Sequence, residues 1–485
     1  MHIVHVAAEM APFAKVGGLG DAVLGLAKES AKDHSVSVIM PKYSLIPTEE
    51  LSLHLAMQFS AEKQRIAYDV RVFETKLEKI SVYFIETSPL LDYFYEGSVY
   101  LGDRRDTKRF IYFCKVVAEY LIRKNQEIDV LHLHDWHTSL MAPLVKEVYL
   151  SLKVLVKSVV ISIHNLAYTG PCTSLDFDEV HYPMQHLSYF KEKRFFSEYC
   201  TLLRGALALS DAVVAVSKGY AEEILTKKYA SGFLPLLQKR KESIFGITNG
   251  IDLSIWNPAT DPYISHHFSK KDSFAEIVSA KKKNKEELQK RLGLQVEDVP
   301  LFIAVARLVE QKNPQLLEKG IWQAKKLGAQ GILLGTAPKM RVQKHFEKLS
   351  KKYAKDPSIR FIPLYDEALS HMLYAAGDFF LMPSNFEPCG LTQLIALIYG
   401  CLPIVHEVGG LRDTVFDARK EKDLKKANGF SFAKPQFSQM KQAMQAAIDR
   451  KKKDGCKTLI ENAVEKDYSW KEPKAHYEEL YQSLF

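Results

Sequence analysis

Residues 2–21, HIVHVAAEMAPFAKVGGLGD, contain the pattern that decides the fold. The apolar run at 2–7 is too short for a typical helix but long enough for a buried strand. The glycine-rich segment 15–21 follows it, and a helix with an apolar face comes next. A strand, a glycine turn and an amphipathic helix in this order predict the first βα unit of a parallel sheet.

Similar apolar runs, rich in Val, Ile and Phe, recur along the chain and alternate with helix-like segments. Those of the first half are 36–40, 80–85, 129–134, 158–163 and 212–216, and those of the second half are 301–306, 330–334, 359–362, 378–382 and 402–406. The two series predict an α/β protein with two doubly wound, Rossmann-like domains. Such sheets bind ligands at the carboxyl ends of their strands, so we expect a site in an interdomain cleft.

The stretch 250–300 separates the two series and has no clear buried strand. It includes the charged segment 281–291, KKKNKEELQKR. We interpret this stretch as a linker and a solvated helix, and the lysines at 451–453 as solvated surface. A nucleic-acid-binding patch is the alternative, but no aromatic residues are interleaved with the basic ones.

The composition is that of a globular protein. The 485 residues are 47% hydrophobic and 26% charged, with a net charge of +8. These values argue against disordered, collagen-like and disulfide-scaffold proteins, and the mild positive charge permits phosphate binding without specifying it. Six scattered cysteines without a C-x-x-C pair predict neither a zinc site nor a disulfide framework. With no signal peptide and no apolar run of membrane-spanning length, we expect a cytoplasmic protein with no membrane partner.

Three strands of the first half, at 2–7, 129–134 and 158–163, are each followed by polar groups. The segment 15–21 suits an anion-binding site, because it combines Lys15 with glycines and a helix N-terminus. An ordinary glycine turn with no ligand is the alternative. The segment H-L-H-D-W-H at 132–137 suggests a metal, but only His132 and His134 share a face, so capped polar residues at a strand end are favoured. For His164, after the strand at 158–163, structural and functional roles are equally open.

Two segments of the second half carry candidate groups. Arg307 ends one strand and Lys312 lies before a helix that begins near Pro314, an arrangement that suits a diphosphate. A surface ion pair between Arg307 and Glu310 is the equally weighted alternative. The segment 383–393, PSNFEPCGLTQ, places Glu387 before a helix N-terminus whose amides could bind sugar or phosphate oxygens. A nucleophilic Cys389 is disfavoured because no histidine is near it in sequence.

In combination, these motifs resemble glycosyltransferase family 5, the bacterial glycogen synthases and plant starch synthases. The resemblance extends from the first strand to Trp470 and is carried by KVGGLGD at 15–21, HDWH at 134–137, HNLAY at 164–168, NGID at 249–252, RLVEQK at 307–312 and FEPCGLTQ at 386–393. It implies a GT-B fold and transfer of glucose from ADP-glucose to the non-reducing-end 4-hydroxyl of an α-1,4-glucan such as glycogen, with retention. It also implies that no metal and no other cofactor is needed, because cationic side chains replace the metal.

The resemblance further implies roles for individual residues. The leaving diphosphate would be held by Lys15, Arg307 and Lys312, and the nucleotide-sugar would be contacted by Gly17, Gly18, Asp21 and Gly335. The glucosyl ring would be bound by Glu387, with help from the backbone amides of Cys389, Gly390 and Leu391. Thr392 would lie near a phosphate, His164 beside the sugar, and Asp135 on the acceptor side. These are the candidate catalytic and binding residues.

The sequence also departs from the family pattern. Residues 335–338, GTAP, lack the usual G-x-G, and 405–408, VHEV, stand where V-R-x-T is usual. The expected domains are 1–245, 246–465 for nucleotide-sugar binding, and a returning helix at 466–485. Two alternatives stay open: a related transferase that uses UDP-glucose, and a catalytically inactive glucan-binding protein on the same fold.

Overall fold

The computed structural model describes residues 1–47, 51–88, 98–194 and 197–485. The chain forms two compact units. The first combines Met1–Gly250 with Trp470–Phe485, and the second is Ile251–Ser469. These junctions lie a few residues after the expected boundaries at 245 and 465.

The first unit is built on a nine-stranded sheet. Its strands are β1 (His2–Val6), β2 (Ser35–Pro41), β3 (His54–Lys63), β4 (Ile66–Leu77), β5 (Ile80–Thr87), β6 (Ile128–His134), β7 (Val156–Ile163), β11 (Ala212–Ala215) and β12 (Ile244–Gly246). They lie in the order β12-β11-β7-β6-β1-β2-β5-β4-β3, parallel except at the β5–β4–β3 edge. All six apolar runs predicted in this half are strands of the sheet. The β3–β4 hairpin was not predicted, because its largely exposed residues make no continuous apolar run.

A small antiparallel sheet and the helices complete the first unit. The small sheet joins β8 (Pro171–Cys172), β9 (Lys191–Arg194) and β10 (Ser197–Thr201). The helices are α1 (Gly18–Ser30), α2 (Arg104–Lys124), α3 (Met141–Pro143), α4 (Leu150–Leu155), α5 (Ser174–Asp178), α6 (Leu202–Leu209), α7 (Lys218–Ile224), α8 (Leu234–Lys239) and, from the chain terminus, α17 (Lys471–Gln482). Trp470 packs against Gly25 so closely that an added Cβ would lie 1.9 Å from its Nε1. This contact anchors the returning segment on the first unit.

The second unit contains a six-stranded, fully parallel sheet. Its strands are β13 (Leu301–Val305), β14 (Gln330–Leu334), β15 (Ile359–Ile362), β16 (Phe379–Met382), β17 (Leu402–His406) and β18 (Phe430–Phe432), in the order β15-β14-β13-β16-β17-β18. Its helices are α9 (Phe274–Leu292), α10 (Pro314–Lys326), α11 (Met340–Lys352), α12 (Glu367–Ala376), α13 (Thr392–Ile398), α14 (Gly409–Thr414), α15 (Phe437–Asp454) and α16 (Lys457–Glu465). Strands with helices between them confirm two Rossmann-like domains, the α/β architecture of the GT-B fold.

The lysine run 281–291 lies on α9, which confirms the predicted helix, and Lys282 and Lys283 are exposed, but the prediction of a solvated face is wrong for two other lysines. Lys281 and Lys285 are buried. Lys281 donates to the backbone carbonyls of Ala375 and Tyr399, over 3.0 and 2.7 Å, and so satisfies groups at two helix ends. Lys285 pairs with Asp378 over 2.5 Å, and Lys451 pairs with the same carboxylate over 2.9 Å.

No helix in the described residues is long and apolar enough to cross a membrane. The six cysteines all lie within the described ranges, are buried, and form no disulfide.

Candidate functional site

The glycine-rich loop of the first unit is held by Glu9, a residue that the sequence did not single out. Its buried carboxylate accepts hydrogen bonds from the backbone N–H groups of Val16, over 2.6 Å, and Gly17, over 3.1 Å. The Tyr100 hydroxyl donates to the same carboxylate over 2.5 Å. The Gly17 amide is therefore directed at the protein, and the contact of Gly17 with a nucleotide-sugar stays a prediction.

Lys15 and Asp21 lie on either side of this loop and form an ion pair of 2.8 Å. Both side chains are about one-third exposed, at 37% and 30%. Gly18 begins α1, so the pair lies at a helix N-terminus, where the dipole adds a partial positive charge. The structure thus brings together two predicted residues and presents a cation beside a helix end.

Asp135 links the ends of β6 and β7. Its backbone is left-handed, with φ of 57°, and its carboxylate accepts from the N–H groups of His164, over 2.7 Å, and Asn165, over 3.2 Å. Burial raises the pKa of Asp135 to about 7. The carboxylate therefore fixes the turn that carries His164. Whether Asp135 also faces the glucan acceptor stays a prediction.

Three buried histidines lie behind these strand ends. His5 of β1 is in register with His132 of β6, so His5, His132 and His134 share one face of the sheet. Their ring nitrogens lie within 4.8 Å of one another, which by ligand count could hold a metal ion. The sequence indicates only that His132 and His134 of the segment 132–137 share this face. His5 was missed because, in sequence, it is one polar residue inside an apolar strand.

The rings are hydrogen-bonded, and burial keeps them neutral. His5 Nδ1 lies 3.1 Å from His134 Nε2, and His134 Nδ1 lies 3.1 Å from His164 Nε2. Burial lowers the pKa of His5 and of His164 to about 3, and the pKa values of His132 and His134 well below their usual range. These rings act as hydrogen-bonding groups rather than as charges.

Helix α17 covers the cluster with two tyrosines. The Tyr481 hydroxyl lies 2.7 Å from His132 Nδ1, and Ser162 Oγ lies 2.8 Å from His132 Nε2. Tyr477 contacts the Ser162 hydroxyl over 3.3 Å. The returning helix thus supplies hydrogen-bond partners for His132 Nδ1 and for the Ser162 hydroxyl.

In the second unit, Lys312 and Glu387 are direct partners. Lys312 Nζ lies 2.5 Å from Glu387 Oε2, and the Ser384 hydroxyl donates to the same oxygen over 2.9 Å. Glu387 is 5% exposed, so little water screens the pair. The structure confirms neither residue's role, but it places a lysine and a glutamate together at the end of β16.

Arg307 follows β13 and is exposed. Among the described residues it has no ion-pair partner, so the alternative pair with Glu310 is not formed. Instead, the Glu310 backbone carbonyl accepts from Asn385 Nδ2 over 2.8 Å. The guanidinium is left available to an anion.

The turn before α13 has a left-handed glycine. Gly390 has φ of +74°, and an added Cβ would lie 2.3 Å from Gln393 Oε1. Cys389 is buried, and Leu391 precedes Thr392, the first residue of α13. The Thr392 hydroxyl donates to Met382 Sδ over 3.6 Å, so in this structure it is directed at β16. Its contact with a phosphate stays a prediction.

The two segments that depart from the family pattern, 335–338 and 405–408, contain residues with structural roles. Gly335 packs against β13, where an added Cβ would lie 1.8 Å from the Ala306 carbonyl oxygen. His406 is buried and its Nδ1 donates to the Ser384 carbonyl over 2.6 Å, while Glu407 pairs with Lys420. His406 therefore holds the turn that carries Glu387.

Comparison with known proteins gives consistent matches. A family model described as starch synthase catalytic domain matches residues 2–239, and one described as glycosyl transferases group 1 matches residues 284–466. Glycogen synthase of Protochlamydia amoebophila is 35% identical and aligns over 100% of this chain and 99% of its own. Glycogen synthase of Streptococcus sanguinis is 36% identical, with full coverage of both chains.

Plant relatives match over part of their length. Probable starch synthase 4 of Arabidopsis thaliana is 35% identical, and the chain spans 47% of it. The solved catalytic domain of starch synthase IV from Arabidopsis thaliana, bound to ADP and acarbose, has a TM-score of 0.93 and 35% identity, covering 100% of this chain and 99% of that one. A sucrose-phosphate synthase from Thermosynechococcus elongatus, at 16% identity and a TM-score of 0.62, shares the fold.

Proposed function

The chain belongs to the family of bacterial glycogen synthases and plant starch synthases, and on this premise we propose that it elongates an α-1,4-glucan with glucose from ADP-glucose. The observation that carries the proposal is the 0.93 TM-score, over the whole chain, with a starch synthase domain bound to ADP and acarbose. Full-length similarity to bacterial glycogen synthases supports glycogen as the polymer. A cytoplasmic location is part of the proposal, because buried thiols suit a reducing compartment.

Three cations are proposed to stabilise the leaving diphosphate. Breaking the glycosidic bond leaves negative charge on the phosphate, and fixed positive groups lower the free energy of that state. Arg307 is exposed and unpaired with any described acid. Lys312 and Lys15 each hold one carboxylate but keep further N–H donors for phosphate oxygens.

Glu387 is proposed to bind the glucosyl ring. Ser384 and Lys312 both contact Oε2, which leaves Oε1 to accept from a sugar hydroxyl. Because the backbone amides of the following turn lie beside it, one segment can contact both the sugar and the phosphate. The negative charge of Glu387 also favours the positive charge that develops on the ring.

Retention is proposed to occur on one face of the sugar. The acceptor 4-hydroxyl attacks the anomeric carbon as the bond to the phosphate oxygen breaks, and that oxygen takes the hydroxyl proton. The products are a glucan one residue longer and ADP. This route needs no protein nucleophile, in contrast to a double displacement, which requires a carboxylate on the opposite face.

The reaction is further proposed to need no metal, because the three cations supply the positive charge. Activity that survives dialysis against a chelator would support this proposal. Activity that is lost and then restored by a divalent cation would contradict it.

Donor competition tests the function directly. The purified chain is given ADP-glucose and UDP-glucose at equal concentration with maltoheptaose, and chain-lengthened products are separated and counted. We expect elongation mainly from ADP-glucose. Equal use of both donors, or preference for UDP-glucose, would contradict the donor assignment, and no elongation from either would favour an inactive glucan-binding protein.

A further inference from the structure

A hydrogen-bonded row of histidines connects the buried interior of the first sheet to His164. His5 Nδ1 meets His134 Nε2, and His134 Nδ1 meets His164 Nε2, each over 3.1 Å. His5 and His134 are essentially inaccessible to solvent, whereas His164 is partly exposed at the end of β7. The row therefore has one closed end and one open end.

The row has only two self-consistent proton arrangements. A neutral imidazole carries one N–H and one bare nitrogen, and each ring-to-ring hydrogen bond needs one of each. If His5 donates from Nδ1, then His134 donates from Nδ1 to His164 Nε2, and the proton of His164 is on Nδ1. If the direction is reversed, the proton of His164 is on Nε2 and His5 carries its proton on Nε2.

The closed end decides between them. His5 Nε2 is buried and has no hydrogen-bond partner. The reversed arrangement would place an N–H there, and buried N–H groups without an acceptor are rare in native structures. The first arrangement leaves only an unprotonated ring nitrogen at that position.

We propose that His5, acting through His134, fixes the proton of His164 on Nδ1 and so makes His164 a hydrogen-bond donor to a substrate oxygen. His164 Nδ1 has no hydrogen-bond partner within the described ranges, so this N–H is available. His5 and His134 are positioning residues, since neither reaches the open end. Only the kinetic consequence rests on the proposed function; the proton placement does not.

The proton placement is measured by NMR on the intact protein labelled with ¹⁵N-histidine. Protonated and unprotonated ring nitrogens differ strongly in ¹⁵N chemical shift, and His164→Gln identifies the signals of His164 by their loss. We expect the wild-type protein to carry the His164 proton on Nδ1. A proton on Nε2 would overturn the proposal. So would a stoichiometric metal ion bound by the histidines of the purified protein.

Two substitutions of His5 then test its control of His164. His5→Asn keeps an amide N–H close to the position of Nδ1, whereas His5→Phe removes the donor. We expect His5→Phe to mix the two tautomers of His164 and His5→Asn to retain the wild-type one. His2→Phe, on the same strand but outside the row, is the matched control and should leave the His164 signals unchanged.

The kinetic readout separates positioning from folding. We expect His5→Phe to lower kcat about tenfold, whereas the separate variant His5→Asn should keep most of the wild-type kcat. An unchanged His164 tautomer in His5→Phe would overturn the proposal, whatever happens to the rate. If His5→Phe fails to fold, the wild-type spectrum and the His5→Asn spectrum still decide it. If His164 carries its proton on Nδ1 but the protein transfers no glucose, the proposed function is contradicted and the proton placement still holds.

Discussion

Two side-chain clusters, the buried histidines of the first unit and the Lys312–Glu387 pair of the second, take opposite electrostatic forms. In the first, buried histidines are neutral and bonded ring to ring, ending at His164. In the second, Lys312 and Glu387 form an ion pair beside the exposed Arg307. Charge in the second unit suits phosphate stabilisation, while proton placement in the first suits orientation of hydroxyl groups. The two regions should therefore respond to different substitutions.

The largest effect is expected at the ion pair. Glu387→Ala should lower kcat about 100-fold, or about 2.7 kcal/mol of transition-state stabilisation, because it removes the sugar contact and leaves Lys312 without its partner. Steady-state kinetics with ADP-glucose measure this effect. Glu347→Ala, an exposed glutamate on α11, is the control. Near-normal turnover in Glu387→Ala would show that the Lys312–Glu387 ion pair does not contribute to catalysis.

Arg307 should matter for phosphate binding and little for stability. Arg307→Ala should lower kcat/KM about 30-fold, in the range of a charged hydrogen bond, while Arg307→Lys keeps part of the activity. Thermal unfolding should be unchanged, since no described acid pairs with the guanidinium. Arg341→Ala, an exposed arginine on α11, is the control for both readouts. A large drop in melting temperature would show that Arg307 is structural.

Substitution of Asp135 should change the stability of the protein in a pH-dependent way, because burial raises the pKa of this carboxyl to about 7. Between pH 4 and 7 the folded carboxyl keeps a proton that the unfolded chain has lost, so the free energy of unfolding falls as the pH rises. Asp135→Asn should therefore stabilise the protein at pH 8, by on the order of 1–2 kcal/mol, and not at pH 4.

Urea unfolding at both pH values measures the Asp135 effect. The exposed Asp69→Asn on the β3–β4 hairpin serves as the control and should show no such difference. Equal stability changes at both pH values would mean that the carboxyl is ionised throughout this range.

The smallest effect is expected at Ser384, which contributes one hydrogen bond to Glu387. Ser384→Ala should lower kcat about fivefold, the effect of about 1 kcal/mol, because Lys312 still holds the carboxylate. Parallel kinetics with Ser254→Ala, an exposed serine in the same unit, give the baseline. A loss as large as that of Glu387→Ala would mean that Ser384 itself contacts substrate.

The sequence predicted the central strands well because they are buried on both faces and form continuous apolar runs. The β3–β4 hairpin lacks that signal, since its residues are largely exposed. Lys281 looked solvated because composition does not show which carbonyl groups a folded helix will meet. His5 and Glu9 were missed for a related reason: their partners lie on other elements, and only strand register and loop closure bring them together.

Retaining transfer of glucose from ADP-glucose to a glucan can be followed in one reaction mixture, ADP-glucose with maltotetraose, by ¹H NMR. We expect ADP and a new α-1,4-linked glucosyl signal to rise together in equal amounts from the first time points, with no β-anomer. Initial formation of a β-linkage, or release of free glucose without chain elongation, would contradict this expectation.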